Sequence, residues 1–81
     1  EGLPSIRLTR AQLQAGYPLL EALLALKLIS SKSDGRRHLV AGAVRINNTV
    51  CEAERALAEA DVVDGGIKLS VGRKRHGLIT V

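Results

Sequence analysis

The hydrophobic period of this chain changes at Gly42, and that change predicts a helix followed directly by a hairpin. Before Gly42, apolar and small positions recur at helical spacing, and Ser33 is the expected N-cap, with Asp34 in the first turn. After Gly42, apolar side chains alternate with Arg45, as they do along a strand with one buried face. The predicted inward positions are Gly35, His38, Leu39 and Gly42 in the helix, and Val44 and Ile46 in the strand.

Residues on both sides of this unit predict its neighbours. The Asn47-Asn48 pair tolerates the positive φ of a tight hairpin turn, so residues 49–51 are expected to return as a second strand. Pro18 is a favoured first helical residue, and the leucines that follow it at helical spacing predict a helix that ends near residues 28–30.

The two ends of the chain give weaker patterns. Thr9 is expected to cap a short helical turn over residues 10–15. We assign residues 1–17 to a linker and lead-in, and residues 18–81 to the folded domain. The expected C-terminal elements are a strand over Ile67 to Val71, a turn over Arg73 to Gly77 and a strand over Leu78 to Val81.

Length and composition predict one small domain with an aliphatic core. The chain has 81 residues, of which 46% are hydrophobic but only 1% aromatic, so Leu, Ile, Val and Ala must fill the interior. The predicted elements indicate an α+β fold in which two short helices pack on a small, mainly antiparallel sheet.

Several classes of protein and of site are excluded by the sequence. Cys51 is the only cysteine, so there is no internal disulfide, and no Cys or His spacing fits a zinc site. The longest apolar stretch, residues 19–28, is interrupted by charges and too short to span a bilayer, and no signal peptide is found. We therefore expect a cytoplasmic protein without a membrane partner. Because the chain contains no methionine, we expect it to be a domain of a larger protein.

Positive charge is concentrated in two blocks of the sequence. Residues 32–50 carry a net charge of +3 and residues 67–81 carry +4, whereas residues 51–66 between them carry −4. If the fold joins the two basic blocks, the resulting surface attracts a polyanion. The candidate phosphate-contacting side chains are Lys32, Arg36, Arg37, Arg45, Arg73, Lys74 and Arg75.

Two patterns narrow the expected ligand. Arg36 and Arg37 lie beside Lys32 near the amino end of the predicted helix, where free backbone N–H groups and guanidinium groups favour the same anion. Tyr17 is the only aromatic residue, so bases have almost no side chains on which to stack. Recognition by shape and phosphate position is therefore expected, which favours a folded RNA such as tRNA.

Three segments of the chain resemble a known family. They are Ser31-Lys32-Ser33-Asp34-Gly35-Arg36-Arg37, then Gly42-Ala43-Val44-Arg45-Ile46-Asn47, and finally Ile67-Lys68-Leu69-Ser70-Val71-Gly72-Arg73-Lys74-Arg75-His76. The first two resemble the S-four RNA-binding domain, also called the αL motif. The third, with Leu3-Pro4-Ser5, is similar to the form of this domain found at the C-terminus of bacterial tyrosyl-tRNA synthetases.

This resemblance implies a role in tRNA binding without a bond-making step. In that family the domain holds tRNA between its anticodon stem and its long variable arm, while a separate domain activates tyrosine with ATP. No cofactor is implied for this chain; the parent enzyme would bind ATP and tyrosine and form a homodimer, whereas the isolated fragment would be a monomer. Gly35, His38 and Lys27 depart from the family pattern, which has alanine, an apolar residue and often glycine at these positions.

Two other functions stay open. The same domain could belong to a ribosome-associated or RNA-modifying protein, or the acidic stretch over residues 52–64 could dock a basic protein. No catalytic residue is expected, because the chain lacks a nucleophile, base or metal constellation. His38 is expected to be packed and hydrogen-bonded, and Cys51 to be an inert strand residue.

Overall fold

The computed structural model of the protein describes residues 3–81, and the predicted change of period is present as α3 followed by a hairpin. The helices are α1 (Arg10–Ala15), α2 (Leu19–Ala25) and α3 (Lys32–Val40), with a 3-10 turn at Glu59–Asp61. The strands are β1 (Ser5–Arg7), β2 (Tyr17–Pro18), β3 (Val44–Ile46), β4 (Thr49–Val50), β5 (Ala56–Leu57), β6 (Gly66–Val71) and β7 (Arg75–Thr80).

Five of these strands form the main sheet, in the order β1-β7-β6-β3-β4. The β3–β4, β3–β6 and β6–β7 pairs are antiparallel, and only β1 pairs in parallel, with β7. Strands β2 and β5 form a separate antiparallel pair. The α+β prediction is confirmed: three α-helices accompany a mixed sheet of mostly antiparallel strands, where two helices were expected.

One face of the main sheet contributes to the hydrophobic core, because alternate residues of each strand point into it. Val44 and Ile46 of β3 are buried there with Leu69 of β6 and Ile79 of β7. The core is aliphatic, as the composition requires, and Leu13 of α1 is completely buried in it. No helix in residues 3–81 is both long and apolar enough to cross a bilayer.

The lead-in assigned to residues 1–17 contributes to this core where the structure describes it, from residue 3 onward. Strand β1 hydrogen-bonds with β7, and the buried Leu8 and Leu13 belong to the same cluster as the rest of the interior. Thr9 caps α1 as expected, since its hydroxyl accepts from the Gln12 N–H at 3.1 Å. The domain boundary at residue 18 stays a prediction.

The N-cap of α3 is Ser31, and the prediction of Ser33 is wrong. The Ser31 hydroxyl accepts a hydrogen bond from the Asp34 N–H at 3.0 Å, while the Asp34 carboxylate accepts from the Ser30 N–H at 3.0 Å. This second hydrogen bond lowers the pKa of the Asp34 carboxyl. Both contacts require that the N-cap serine stand three residues before an acidic residue. Ser31 has this spacing to Asp34, whereas Ser33 does not. Lys32 is therefore the first helical residue.

Helices α2 and α3 end in the same way, with one residue in the left-handed conformation. After α2, the N–H of Lys27 bonds to the Leu24 carbonyl and the N–H of Leu28 to the Leu23 carbonyl, a Schellman motif. The corresponding residue after α3 is Gly42, with φ at +72°, whereas Lys27 has φ at +61°. Helix α2 thus stops at Ala25, earlier than the predicted residues 28–30, because Lys27 already leaves helical geometry.

Gly35 allows α3 to lie unusually close to its neighbours. A Cβ atom built on Gly35 would be 2.6 Å from Cδ2 of Leu20 in α2 and 2.7 Å from Cδ1 of Ile29. Both partners are buried, so a larger residue at this position would have to displace methyl groups within the packed core. The glycine costs about 1 kcal/mol of helix propensity, and this close contact is its structural reason.

Replacing Lys27 with glycine is expected to stabilise the protein. A non-glycine residue in the left-handed region costs about 1–2 kcal/mol of stability. Glycine removes this cost, but part of the gain is lost because glycine makes the unfolded chain more flexible. We expect Lys27→Gly to raise the free energy of unfolding by about 0.5–1 kcal/mol in urea titrations. Lys27→Ala is the matched control, because it removes the charge but keeps Cβ; an equal gain from alanine would contradict the conformational explanation.

Replacing Gly35 with alanine is expected to destabilise the protein despite its better helix propensity. Overpacking against Leu20 and Ile29 costs about 1–3 kcal/mol and exceeds the gain of about 1 kcal/mol, so we expect a net loss of about 1 kcal/mol. Urea titrations should show that Gly35→Ala costs less in an Ile29→Val background, which lacks the clashing Cδ1 atom. A gain in stability from Gly35→Ala alone would contradict the close packing.

Candidate nucleic-acid interface

Helix α3 presents three of the predicted cations, and each has a carboxylate beside it. Lys32 and Arg36, one turn apart, lie on the same flank of the helix: Lys32 Nζ is 2.8 Å from a Glu21 oxygen, and Arg36 Nε is 2.9 Å from a Glu54 oxygen. Arg37 Nη2 is 3.0 Å from Asp34 Oδ1, within the helix itself. Of the three, the Arg37 side chain is the most accessible, with 80% of its surface exposed.

These α3 ion pairs leave the cluster without net charge, since three cations face three carboxylates. Exposed pairs of this kind contribute about 0–1 kcal/mol each, so a phosphate can replace a carboxylate at small cost. The amino end of α3, expected to favour an anion, already has the Asp34 carboxylate in its first turn. The site is thus a set of positioned, exchangeable cations.

Arg45 lies on the other face of the main sheet. Its neighbours Val44 and Ile46 are buried in the core, so its side chain points to the opposite, exposed face, as the alternation predicts. Directly across from it are Ser70 on β6 and Val50 on β4. The structure therefore groups Lys32, Arg36 and Arg37 on α3 and places Arg45 on a different surface.

The β6–β7 turn brings the C-terminal cations next to the end of α2. The turn is shorter than predicted: residues 73 and 74 form it with Gly72, and Arg75 already belongs to β7, so the expected turn over residues 73–77 is wrong beyond Lys74. Arg75 points to the helix side of the sheet, where its Nη1 donates to the Leu28 carbonyl at 3.3 Å. With Lys27 and Lys74 it lines an open cleft of about 540 Å³.

The two histidines have structural partners in the structure. His38 is one-third exposed, and its Nε2 is 3.5 Å from Asp34 Oδ1. His76 Nε2 lies 2.9 Å from the Arg73 carbonyl, which can only accept, so this nitrogen carries a proton. Nδ1 of a neutral His76 then accepts from the Ser70 hydroxyl at 2.9 Å, which satisfies the buried serine.

Three cations that border these surfaces were not among the sequence candidates: Arg7, Lys27 and Lys68. Arg7 and Lys68 lie on the exposed face of the main sheet, the same face as Arg45. Strand alternation was the signal available for them, because each stands between two apolar residues of the sequence. Lys27 gave no comparable signal, since its position at the cleft depends on where α2 ends.

The acidic stretch over residues 52–64 uses much of its charge within the chain. Three of its carboxylates have arginine partners: Glu54 with Arg36, Glu59 with Arg10 and Asp61 with Arg55. The Asp61 pair is bidentate, with oxygen–nitrogen distances of 2.7 and 3.0 Å, and this contact with Arg55 lowers the pKa of the Asp61 carboxyl. These internal pairs leave fewer free carboxylates to dock a basic partner.

Asn47 connects the acidic stretch to the β3–β4 hairpin. Its side-chain amide donates to the Asp61 carbonyl at 2.6 Å and accepts from the Lys68 N–H at 3.0 Å. Its own φ is +51°, in the left-handed region that the sequence predicts for this turn. The hairpin that carries Arg45 is therefore held from two sides.

With this geometry described, comparison with curated proteins gives a consistent result. The chain is 44% identical over 80 residues to a tyrosine–tRNA ligase of Methylocella silvestris, covering 98% of the chain. It is 42% identical over 81 residues to that of Rhizobium meliloti, and 44% identical over 82 residues to that of Rhodospirillum rubrum. The chain is homologous to the C-terminal region of tyrosine–tRNA ligases.

The homology covers nearly the whole of this chain but only a small part of each relative. In the three ligases named, the matched region is 19–20% of the full length, so the chain spans about a fifth of the curated relatives it matches. No protein-family model matches the chain.

Removing the Asp61 carboxylate is expected to destabilise the protein more at neutral pH than in acid. Because the folded-state pKa of Asp61 is lowered, its stabilising effect is present above the unfolded carboxyl pKa of about 4 and is lost as pH falls through the folded value. We expect Asp61→Asn to cost about 1–2 kcal/mol at pH 7 and much less at pH 3, measured by urea titration. An equal cost at both pH values would contradict an ionic contribution.

Proposed function

We propose that this chain is the tRNA-binding C-terminal domain of a tyrosine–tRNA ligase, of the S-four type, and that it holds structured tRNA through phosphate contacts. The observation that carries the proposal is the homology to tyrosine–tRNA ligases over 98–100% of the chain. The residues proposed for the contacts are Lys32, Arg36, Arg37, Arg45, Arg73, Lys74 and Arg75.

The surface chemistry supports phosphate contacts over base recognition. Arg36, Arg37 and Arg45 are all exposed, and a guanidinium can bind two phosphate oxygens at once. The single aromatic residue, Tyr17, is half-buried in β2 and packs against the core. A surface with cations but no exposed aromatic side chain fits the backbone and shape of a folded RNA.

The bond-making chemistry belongs, in this proposal, to the remaining four-fifths of the parent protein. There, ATP and tyrosine would bind and tyrosine would be joined to tRNA, in the cytoplasm and by a homodimeric enzyme. This chain would supply affinity and orientation, which lower the entropic cost of presenting the tRNA to a distant site.

Arg36→Ala combined with Arg37→Ala is expected to weaken tRNA binding by the full-length protein. If about five phosphates are contacted, log affinity falls with log salt at a slope of about −4 to −5, and the double variant should be shallower by about 2. Filter binding over a salt series measures both quantities.

Arg10→Ala is the matched control, because Arg10 is an exposed arginine of α1 that pairs with Glu59 and lies outside the proposed contacts. An affinity unchanged by the double substitution, or insensitive to salt, would contradict the proposal. A preference for ribosomal RNA fragments over tRNA would instead favour a ribosome-associated or RNA-modifying parent.

A further inference from the structure

The exposed face of the main sheet is a surface that the proposed α3 contacts do not use. Sheet register defines its side chains, because residues paired directly across strands point to the same side. The members of this outer face are Ser5 and Arg7 on β1, His76, Leu78 and Thr80 on β7, Gly66, Lys68 and Ser70 on β6, Arg45 on β3 and Val50 on β4.

The outer face is positively charged and has no internal compensation. Within residues 3–81, Arg7, Arg45 and Lys68 form no ion pair, and no residue that the register places on this face is acidic. The nearest polar contact of Lys68 is the Asn48 side-chain oxygen, 3.5 Å from its Nζ. Asp64 lines the same groove as Lys68 at the edge of this face but forms no ion pair with it. The outer face therefore differs from α3, where every cation has a carboxylate beside it.

The three cations lie along a diagonal across the sheet. Arg45 is level with Ser70, Lys68 lies two residues further along the adjacent strand, and Arg7 lies two residues beyond that level and two strands away. With strands about 4.8 Å apart and a rise of about 3.3 Å per residue, the row spans about 20 Å. Three positive side chains on the same face over that length match an extended polyanion better than a single small anion.

We propose that the outer face binds a second stretch of RNA backbone, through phosphate contacts of Arg7, Lys68 and Arg45. This inference rests on the proposed RNA-binding function and adds to it a surface on the side of the sheet away from the core. Charge complementarity identifies the occupant: the face has three uncompensated cations but few exposed apolar side chains, chiefly Leu78 and Val50. Because no carboxylate must be displaced, each contact here releases counterions without breaking an ion pair.

The first test removes charge from the outer face in the full-length protein. Arg7→Gln combined with Lys68→Gln should make the salt slope of tRNA binding shallower by about 2 and weaken binding about tenfold at 0.1 M salt. Arg7→Lys combined with Lys68→Arg keeps both charges and should keep the slope of the unchanged protein. The single variant Arg7→Gln is also measured, and it is compared with Arg10→Gln, which removes one exposed arginine outside the outer face.

A second test does not depend on the stability of the charge variants. A benzophenone amino acid is placed either at Leu78 on the outer face or at Val40 on α3, which is 82% exposed, and tRNA is added before irradiation. Crosslinking of tRNA at both positions is the expected result. Crosslinking at Val40 alone, with an unchanged salt slope for the Gln variants, would overturn the outer-face proposal, while tRNA binding through α3 would stand.

Two further outcomes distinguish a failure of the outer-face proposal from a failure of the proposed function. If the probe at Leu78 crosslinks to protein and not to tRNA, the proposal is overturned and the face is identified as a protein contact. Failure of tRNA to crosslink at either position, together with salt-independent binding, would overturn the proposed function itself.

Discussion

The contact of α3 with α2 at Gly35 determines where the other parts of the helix point. With Gly35 and Leu39 turned inward, Arg37 must point directly away from the core, and Arg36 must lie on the flank that faces the acidic stretch. A larger residue at position 35 would contact Leu20 and push α3 away from the core, and every cation of the helix would move with it. The close approach at Gly35 thus sets how far from the core the charges on the opposite side of the same helix lie.

Strand and helix periods predict which face a residue occupies much better than where an element stops. The change at Gly42 predicts α3, β3 and the exposed position of Arg45, because burial on one face leaves few alternatives. The ends depend on single local features: the Ser31 hydroxyl caps α3 by accepting from the Asp34 N–H, and α2 ends at Ala25 because Lys27 takes a positive φ. A lysine with positive φ is unfavourable in an isolated peptide, so no local sequence pattern predicts that conformation at Lys27.

The error at the β6–β7 turn shows how the boundary of a strand changes the direction in which a candidate side chain points. As a turn residue, Arg75 would extend freely into solvent with Arg73 and Lys74. As the first residue of β7, paired across from the buried Val71, it points to the helix side and reaches the Leu28 carbonyl. The hairpin is tight because Gly72, at φ +70°, begins a turn that Arg73 and Lys74 complete, so that Arg75 already pairs with Val71 in β7.

Charge is distributed so that position and attraction come from different parts of the molecule. On α3 the carboxylates of Glu21, Glu54 and Asp34 hold the cations in place before any ligand arrives, which reduces the side-chain entropy that binding must remove. The same pairs cancel the long-range field, so α3 contributes geometry more than attraction. In the proposed function, attraction would then come from cations without carboxylate partners, and within residues 3–81 these lie on the outer face and around the β6–β7 turn. A polyanion would therefore be drawn first to the sheet and the turn, and would be aligned on α3 only by exchange with carboxylates already in position.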